Sequence, residues 1–503
     1  MTEIILTTLN ARYIHASIGL RYLYANLKEL RDAAEIQEYC VSDHVVEIAE
    51  KILAGQPKII GISVYIWNAV EVRKLIQVIK KVSPKTVVVL GGHEVSHFPL
   101  RVDFSEADYI IQGEGEGAFY TLCKIILDGN FPLEKIIPSV GVDVDELEMP
   151  YEYYTEEDIE NRIIYVEASR GCPFSCEFCL SSIDKTVRYF NIDRFLDQLE
   201  GLWKRGARKI KFIDRTFNLN LKVVDRILDY FLAKEPPYLV HFEVIPDHFT
   251  ESLKEKISRF KPGVLQLEVG IQTLFPETAE NISRRLNYEK IVENITFLEN
   301  ETHAHLHVDL IIGLPGEPVD RFGENLNVLT TLTTSEIQLG VLKKLSGTAI
   351  SRHESTYGLV FSDFPPYDIL QNDLIPFWLM QDMKRFSRFW DLVYNSGNLN
   401  KSVQLIWHDT DVFSGFLAFS RWLYGETRST WRISLNRLAE LVFIFLVETK
   451  KVDRVKAANA IAADLLKVRG RTLPARIREH ATYIPAQPCN KHGSLGKRQI
   501  KYL

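Results

Sequence analysis

The chain is predicted to be an α/β protein in three parts. These are a doubly wound parallel sheet, a second run of strand–helix units forming a (β/α)6-type barrel, and a mainly α C-terminal domain. Three observations predict this. Short apolar, β-branched runs alternate with amphipathic stretches from the first residues onward, the pattern of parallel βαβ units. The alternation is interrupted by a proline- and acid-rich stretch and then resumes. After Pro365-Pro366-Tyr367 the strand signal vanishes.

In residues 1–130, Glu3–Leu9 reads as a strand. Ser17–Leu30 reads as a helix with Ile18, Leu20, Tyr22, Leu23 and Leu27 on its apolar face. Lys58–Ile66 and Thr86–Leu90 are continuous rather than alternating apolar runs, as strands buried on both faces are. Asn68–Lys81 between them is helical; Tyr109–Gln112 is a short strand, with a helix from Gly117. Residues 131–162 read as a solvated linker, from Pro132, Pro138, Pro150 and the acidic run Asp143 to Glu160.

Residues 163–365 carry six more strands: Ile163–Glu167, Lys209–Ile213, Leu239–Val244, Val264–Val269, His305–Ile312 and Glu336–Leu342. Helices such as Ile192–Arg205 and Leu221–Ala233 lie between them. Six such units suggest a barrel, complete or partial. Residues 366–503 are helix-patterned and rich in tryptophan (Trp378, Trp390, Trp407, Trp422, Trp431), with amphipathic helices at Ser434–Glu448 and Arg454–Lys467.

Composition narrows the function. With 503 residues, 46% hydrophobic and 25% charged, the chain is globular and multi-domain. A formal charge of −6 implies no polyelectrolyte partner overall. No apolar run reaches the roughly 18–20 residues that span a bilayer. Met1-Thr2-Glu3-Ile4-Ile5-Leu6 has no basic leader region, so a cytoplasmic location away from membranes is expected.

Of six cysteines, Cys40, Cys123 and Cys489 are scattered. Cys172, Cys176 and Cys179 fall in one string, Glu167-Ala168-Ser169-Arg170-Gly171-Cys172-Pro173-Phe174-Ser175-Cys176-Glu177-Phe178-Cys179, directly after a strand. Zinc sites take four ligands, typically in paired C-x2-C arrangements, and no second pair exists. Three thiolates in one loop can hold three irons of a [4Fe-4S] cube and leave the fourth open.

The C-x3-C-x2-C spacing with Phe178 before its last cysteine resembles the radical S-adenosylmethionine superfamily, over roughly residues 160–365. The resemblance implies that the open iron chelates S-adenosylmethionine, whose reductive cleavage gives a hydrogen-abstracting 5′-deoxyadenosyl radical. It extends to Phe212-Ile213-Asp214-Arg215-Thr216-Phe217-Asn218, to Leu267-Glu268-Val269-Gly270-Ile271-Gln272-Thr273, to Arg284, and to Asp309-Leu310-Ile311-Ile312-Gly313-Leu314-Pro315-Gly316-Glu317. Phe178, Asp214, Glu268, Gln272, Arg284, Asp309, Gly313 and Pro315 are thereby implied as S-adenosylmethionine contacts. Each has a plain alternative: a turn at Gly313–Gly316, an ion-paired Glu268, a solvated helix end at Ser283-Arg284-Arg285.

A doubly wound, flavodoxin-like domain ahead of such a barrel resembles the cobalamin (B12)-binding subclass, and Pro365-Pro366-Tyr367 resembles the hinge into the C-terminal helical domain of one of its branches. The strand-end residues carrying the B12 resemblance are Ser63 with Tyr65, Gly91-Gly92-His93-Glu94, Gly113-Glu114-Gly115-Glu116, and Thr8, Asn10, Tyr13 and His15 in the opening loop. Small residues there would let a corrin and its nucleotide tail approach the backbone. The Asp-x-His-x-x-Gly cobalt-ligand loop of mutases is absent: His15 has Gly19 four residues on, and Tyr13 stands where aspartate would. His93 and His97 remain neighbours of the cobalt or plain surface histidines. The rival is a domain with no cofactor or with another nucleotide. A dinucleotide is disfavoured because Gly-x-Gly-x-x-Gly is absent.

The resemblance implies a methyltransferase acting at an unactivated carbon of an unidentified organic substrate, with an external electron donor such as flavodoxin or ferredoxin. Its alternatives are cobalamin-dependent rearrangement, cyclisation or oxidation, and a non-enzymatic cobalamin or redox sensor. Tyr65, Trp67 and Tyr357 line the mouth or simply pack. Nine Lys or Arg against one Glu between Leu465 and Leu503 read as a grip for a phosphate-bearing substrate, or as a solvated tail.

Overall fold

The computed structural model describes residues 2–139 and 141–482. They divide into two compact units. The first holds the chain up to Glu243 together with Lys343–Ser351 and Phe361–Asp368, and the second holds the other described residues.

In the first unit, β1 (Ile4–Asn10), β2 (Ala34–Cys40), β3 (Ile59–Ser63), β4 (Val87–Gly91), β5 (Tyr109–Gln112) and β6 (Ile136–Pro138) form one parallel sheet, ordered β2-β1-β3-β4-β5-β6. Every residue of β1 and β3 is buried. Neighbouring residues serve opposite faces. Ile5, Ile60, Ile62, Val88 and Leu90 pack with Ile48, Val72 and Ile76 from two helices on one side. Ile4, Leu6, Ile59, Val87 and Val89 pack with Leu20, Phe119 and Leu122 on the other. Both faces are therefore dry, which is why these strands read as unbroken apolar runs.

Two features depart from the sequence reading. The strand β2 and the helix Val45–Leu53 were not predicted, because Ala34-Glu35-Ile36-Gln37-Glu38-Tyr39-Cys40 is a polar, half-exposed edge strand. The predicted helix Ser17–Leu30 ends at Ala25, where the Asn26 side chain bonds Tyr22 O (2.9 Å), and a 3-10 turn Lys28–Ala33 follows.

Nor is 131–162 a solvated linker throughout. It supplies β6, and its helix Glu156–Asn161 brings Asp158 against a buried guanidinium. Arg21 bonds Asp158 (2.6 Å) and Glu38 (3.3 Å), and Arg162 bonds Glu38 (2.5 Å). The acidic run thus contains one partner of a buried ion network that seals the edge strand.

The first unit continues with β7 (Ile164–Val166), the short antiparallel ribbon β8 (Ser169–Arg170) and β9 (Arg188–Tyr189), β10 (Lys209–Phe212) and β11 (Leu239–Val244). Strand β10 lies between β7 and β11, all parallel.

In the second unit β13 (His305–Ile312) lies parallel between β12 (Leu265–Gln272) and β14 (Glu336–Val341). Within each unit these three strands succeed one another in chain order. A short strand, Ile369–Gln371, follows the prolines, where none was predicted. The helices Phe377–Trp390, Val412–Thr427, Leu435–Ile444 and Arg454–Leu465 pack around a buried aromatic core that includes Phe386, Trp390, Phe416 and Phe419. Trp390 Nε1 bonds Ile337 O (3.0 Å), while Asn395 accepts from Ile337 N (3.0 Å) and donates to Ile337 O (2.9 Å) on β14. Among the described residues no helix is long and apolar enough to cross a membrane.

Replacing Arg21 by Ala removes the 2.6 Å partner of Asp158 and leaves Glu38 with Arg162 alone, and breaking such a buried pair typically costs about 3–5 kcal/mol. Urea unfolding of Arg21→Ala is expected to show a loss of that order, against less than about 0.5 kcal/mol for the surface change Glu152→Ala.

Candidate active site: a cysteine loop beside a glycine-lined cleft

The cysteine loop leaves β8 and returns in β9, so its two ends are tied by the pairs Ser169↔Tyr189 and Arg170↔Arg188. Gly171 turns the chain with φ +89°, and a Cβ there would lie 2.1 Å from Thr186 O, so no other residue fits. Cys172 N bonds Asp184 O (3.1 Å), and Cys179 N bonds Cys176 O (3.0 Å). Cys172 and Cys176 are buried, Cys179 is partly open, and none forms a disulfide. Burial pushes the Cys172 thiol up; charge on Cys179 or Cys176 pushes it further, and Arg215 opposes both. Three thiols are thus close enough to feel one another in a clamped loop. That donor set suits an iron–sulfur cube, whose bound charge would hold them as thiolates.

Asp214, at the end of β10, sits behind this loop. Its carboxylate accepts from Ala168 N (3.0 Å) and Ser169 Oγ (2.6 Å), and burial raises its pKa to about 7. It anchors the entry to the loop. Phe178 stands between the second and third cysteines.

At the C-terminal ends of β3, β4 and β5 lies a cleft of about 160 Å³, in the place where open parallel sheets bind ligands. Eight of the fourteen residues singled out for cobalamin line it: Ser63, Tyr65, Gly91, Gly92, Gly113, Glu114, Gly115 and Glu116. Gly92 has φ +102°, and a Cβ would meet Val64 O at 2.5 Å. A Cβ on Gly91 would meet nothing within 4 Å, so glycine there leaves open the space a large ligand needs. Tyr65 and Trp67 stack in parallel at 4.5 Å and 8°, with His93 tilted 6.4 Å from Tyr65. His93 is exposed, and its pKa is lowered by the surrounding protein and by Arg215.

The other six lie elsewhere. Thr8 Oγ1 bonds Ser63 O (3.0 Å), tying β1 to β3, and Asn10 is buried at the end of β1. Tyr13 bonds Glu157 (2.6 Å) beneath Arg162, and His15 bonds Tyr165 OH (2.7 Å). The opening loop therefore braces the first barrel strand. Buried Glu94 accepts from Tyr367 OH; His93 borders the mouth outside the cleft lining. His97 packs on Gly347.

The link between loop and cleft lies in residues the sequence reading passed over. Arg170 bonds Glu167 (2.9 Å) on its own side and Glu116 (2.8 Å) in the glycine loop, with its guanidinium 4.6 Å over the Tyr22 ring. Arg188 grips Glu114 through both terminal nitrogens, at 3.0 and 2.5 Å. The carboxylates of Glu114 and Glu116 thus brace the cysteine loop from the wall of the cleft. Among residues not predicted, Phe119, Leu23 and Gly19 also line the cleft. Their only signal was an apolar helix face next to a strand end.

In the second unit, β12 bulges at Gly270/Gln272, where Gln272 has φ +70°. Arg284 donates to Gly270 O, folding over this bulge. Glu268 and Asp309 occupy the half-exposed positions of β12 and β13, and Gly270 pairs with Asp309. Gly313–Gly316 forms a turn in which Pro315 O accepts from Asn281 (2.9 Å), itself held by Tyr357 OH (2.9 Å). Tyr357 therefore packs. Glu317 is buried, bonded to Thr273 (2.6 Å) and Asn325 (3.0 Å), with its pKa raised to about 7 by burial.

Of the C-terminal basic residues, Lys467, Arg471 and Arg478 bond Gly397 O, Asn398 Oδ1 and Leu473 O at 2.7–2.9 Å. They are engaged within the helical domain. Lys491, Lys497, Arg498, Lys501 and Cys489 lie outside the described residues.

A doubly wound domain with a strand-end cleft and a clamped three-cysteine loop offers places for two cofactors. Comparison with known families agrees. Residues 4–123 match the B12 binding domain, 166–329 the radical SAM superfamily, and 355–491 a protein of unknown function, DUF4080. The chain therefore carries a B12-binding domain, a radical SAM domain and a DUF4080 domain in that order, and is similar to cobalamin-dependent radical SAM methyltransferases. Cobalamin, a [4Fe-4S] cluster and S-adenosylmethionine are the cofactors of these domains.

An uncharacterized methyltransferase, PH0819, of Pyrococcus horikoshii is 23% identical over 66% of this chain and 77% of its own length. The cobalamin-dependent radical SAM methyltransferase TokK of Streptomyces tokunonensis is 24% identical over 64% of this chain, which spans only 53% of TokK. Among solved structures, OxsB with aqua-cobalamin shares the fold over 95% of this chain and 83% of its own, with TM-score 0.64 and 15% identity. TsrM of Kitasatospora setae does so over 75% of this chain and 79% of its own, with TM-score 0.58 and 16% identity.

The buried Glu317 yields a pH test. With its pKa raised to about 7, its contribution to stability is full below the ordinary carboxylate pKa and is lost as pH rises through 7. Glu317→Gln keeps the neutral shape without that loss. Its melting temperature relative to wild type should therefore rise between pH 5 and pH 8; a flat difference would mean the acid is not held neutral.

Proposed function

We propose that the chain is a methyltransferase that modifies an unactivated carbon of an organic substrate. The observation carrying this reading is that Arg170 and Arg188 tie the cysteine loop to the glycine-lined cleft within one unit. The cofactors supply the hard chemistry when bound, the cluster delivering an electron to S-adenosylmethionine and the corrin carrying the methyl group. The protein's task is placement. Cys172, Cys176 and Cys179 hold the cluster. Gly171 and Asp214 fix the entry to the loop. The Tyr65–Trp67 stack offers a flat shelf beside the cleft, and Gly91 keeps the cleft open to a ligand's tail. Phe178, Glu268, Gln272, Arg284, Asp309, Gly313 and Pro315 remain the proposed S-adenosylmethionine contacts. Arg284 and Gln272, gathered at the β12 bulge, are assigned to its methionine end. An external donor of flavodoxin or ferredoxin type provides the electron.

The names of TokK and PH0819 support methyl transfer as the outcome. The test is anaerobic purification from B12-supplied cells, with iron, sulfide and cobalt measured, followed by incubation with dithionite and S-adenosylmethionine. About four iron per chain is expected, with one cobalt, and release of 5′-deoxyadenosine that disappears in the Cys172→Ala/Cys176→Ala/Cys179→Ala variant. Deoxyadenosine without any methylated product from a cell-extract metabolite pool would point instead to rearrangement, cyclisation or oxidation.

Gly91→Leu separates the two cofactor sites. The open space beyond Gly91 accepts a side chain, so the fold should survive while cobalamin affinity falls at least tenfold and iron content stays constant. Unchanged cobalt retention would remove the cleft from the proposal.

A further inference from the structure

One polar cluster in the second unit is used by nothing above. His305 and His307 occupy alternate positions of β13 and so share one face. Glu336, the first residue of β14, lies in register with His307. The Nε2 atoms of the two imidazoles stand 2.9 Å from Glu336, His305 facing Oε1 and His307 facing Oε2. All three side chains are only 9–14% exposed. Among the described residues this is the trio whose ligand atoms converge within 4.8 Å, tight enough for a single ion.

A second observation comes from the neighbouring strand. Gln266 on β12 is in register with His305 and has no exposed surface, yet neither its Oε1 nor its Nε2 has a hydrogen-bond partner. A buried amide with both ends unsatisfied is rare, and an unseen water or ion is a standard cause.

We propose that His305, His307 and Glu336 bind a divalent cation of the zinc class through two imidazole nitrogens and one carboxylate, with Gln266 holding a water in the remaining position. Ligands about 2.0–2.1 Å from zinc stand roughly 3 Å apart at neighbouring positions, which matches the spacing here. Imidazole and carboxylate together favour zinc over magnesium or calcium, which prefer all-oxygen sites. The trio sits near the N-terminal ends of its strands. His307 pairs with Glu268 and stands two residues before Asp309, so the site adjoins those two proposed contacts, while Gly313 lies six residues further on, roughly 20 Å along an extended chain. Its role is to fasten the floor of β13 and β14, where two imidazoles and a carboxylate replace apolar packing.

The test uses the full-length chain, purified anaerobically, exposed to zinc chloride and passed over a chelating resin. One zinc per chain should be retained in the wild type. In His307→Ala and Glu336→Gln it should fall at least tenfold, with iron content unchanged. Wild-type protein that retains none, or variants that retain as much, would overturn the proposal. Should the variants fail to fold, the zinc absorption edge of the wild type decides. A shell of nitrogen and oxygen with two imidazoles supports the site, whereas sulfur ligands would place the zinc in the cysteine loop and refute it.

Discussion

The guanidinium of Arg170 is the constraint on which the first unit depends. It is almost fully buried, with Glu167 and Glu116 on it and the Tyr22 ring beneath. Taking these charges out of water is costly, and their mutual attraction repays the cost only while every partner is in place. Arg170 directly precedes Gly171 and Cys172, and Glu116 lines the cleft. One side chain therefore sets the start of the metal loop and the wall of the ligand site together. Arg188 repeats the arrangement on the returning strand, so neither side of the ribbon can shift alone.

The acids of this unit divide by what they touch. Glu94, Glu114, Glu116, Glu167 and Asp214 all hold protein groups, namely a tyrosine hydroxyl, guanidiniums and backbone amides. The rest of the cleft lining is glycine, Ser63 and apolar or aromatic surface. Such a surface recognises by shape and by close backbone approach, which suits a bulky, flat guest better than a compact anion.

Much of this was legible in the sequence because its physical cause is local. The buried strands announced themselves as unbroken apolar runs, and Cys172, Cys176 and Cys179 by spacing. The glycines of β4 and β5 stood at strand ends, and eight chosen residues do line the cleft. The misses share a different cause. Strand β2 is half-exposed and polar, so its period is weak. Arg170, Arg188 and Asp158 act through partners up to 137 residues away, and nothing in a single chain marks such pairings. Tyr13 and His15 lie near a strand end as expected, yet their hydrogen bonds run to Glu157 and Tyr165. Proximity in sequence to a site does not say where a side chain points.

The amide of Asn395 has a consequence for the whole architecture. It gives and takes hydrogen bonds at Ile337 as an adjacent strand would, on the outermost strand of an open sheet. Unpaired strand borders invite other chains to zip onto them. Here a side chain from the helical domain impersonates the missing neighbour, with Trp390 beside it. The C-terminal domain is thus a built-in guard against self-association. A truncation at the prolines would uncover a sticky border, so the helical region is part of the barrel's solubility rather than a detachable accessory.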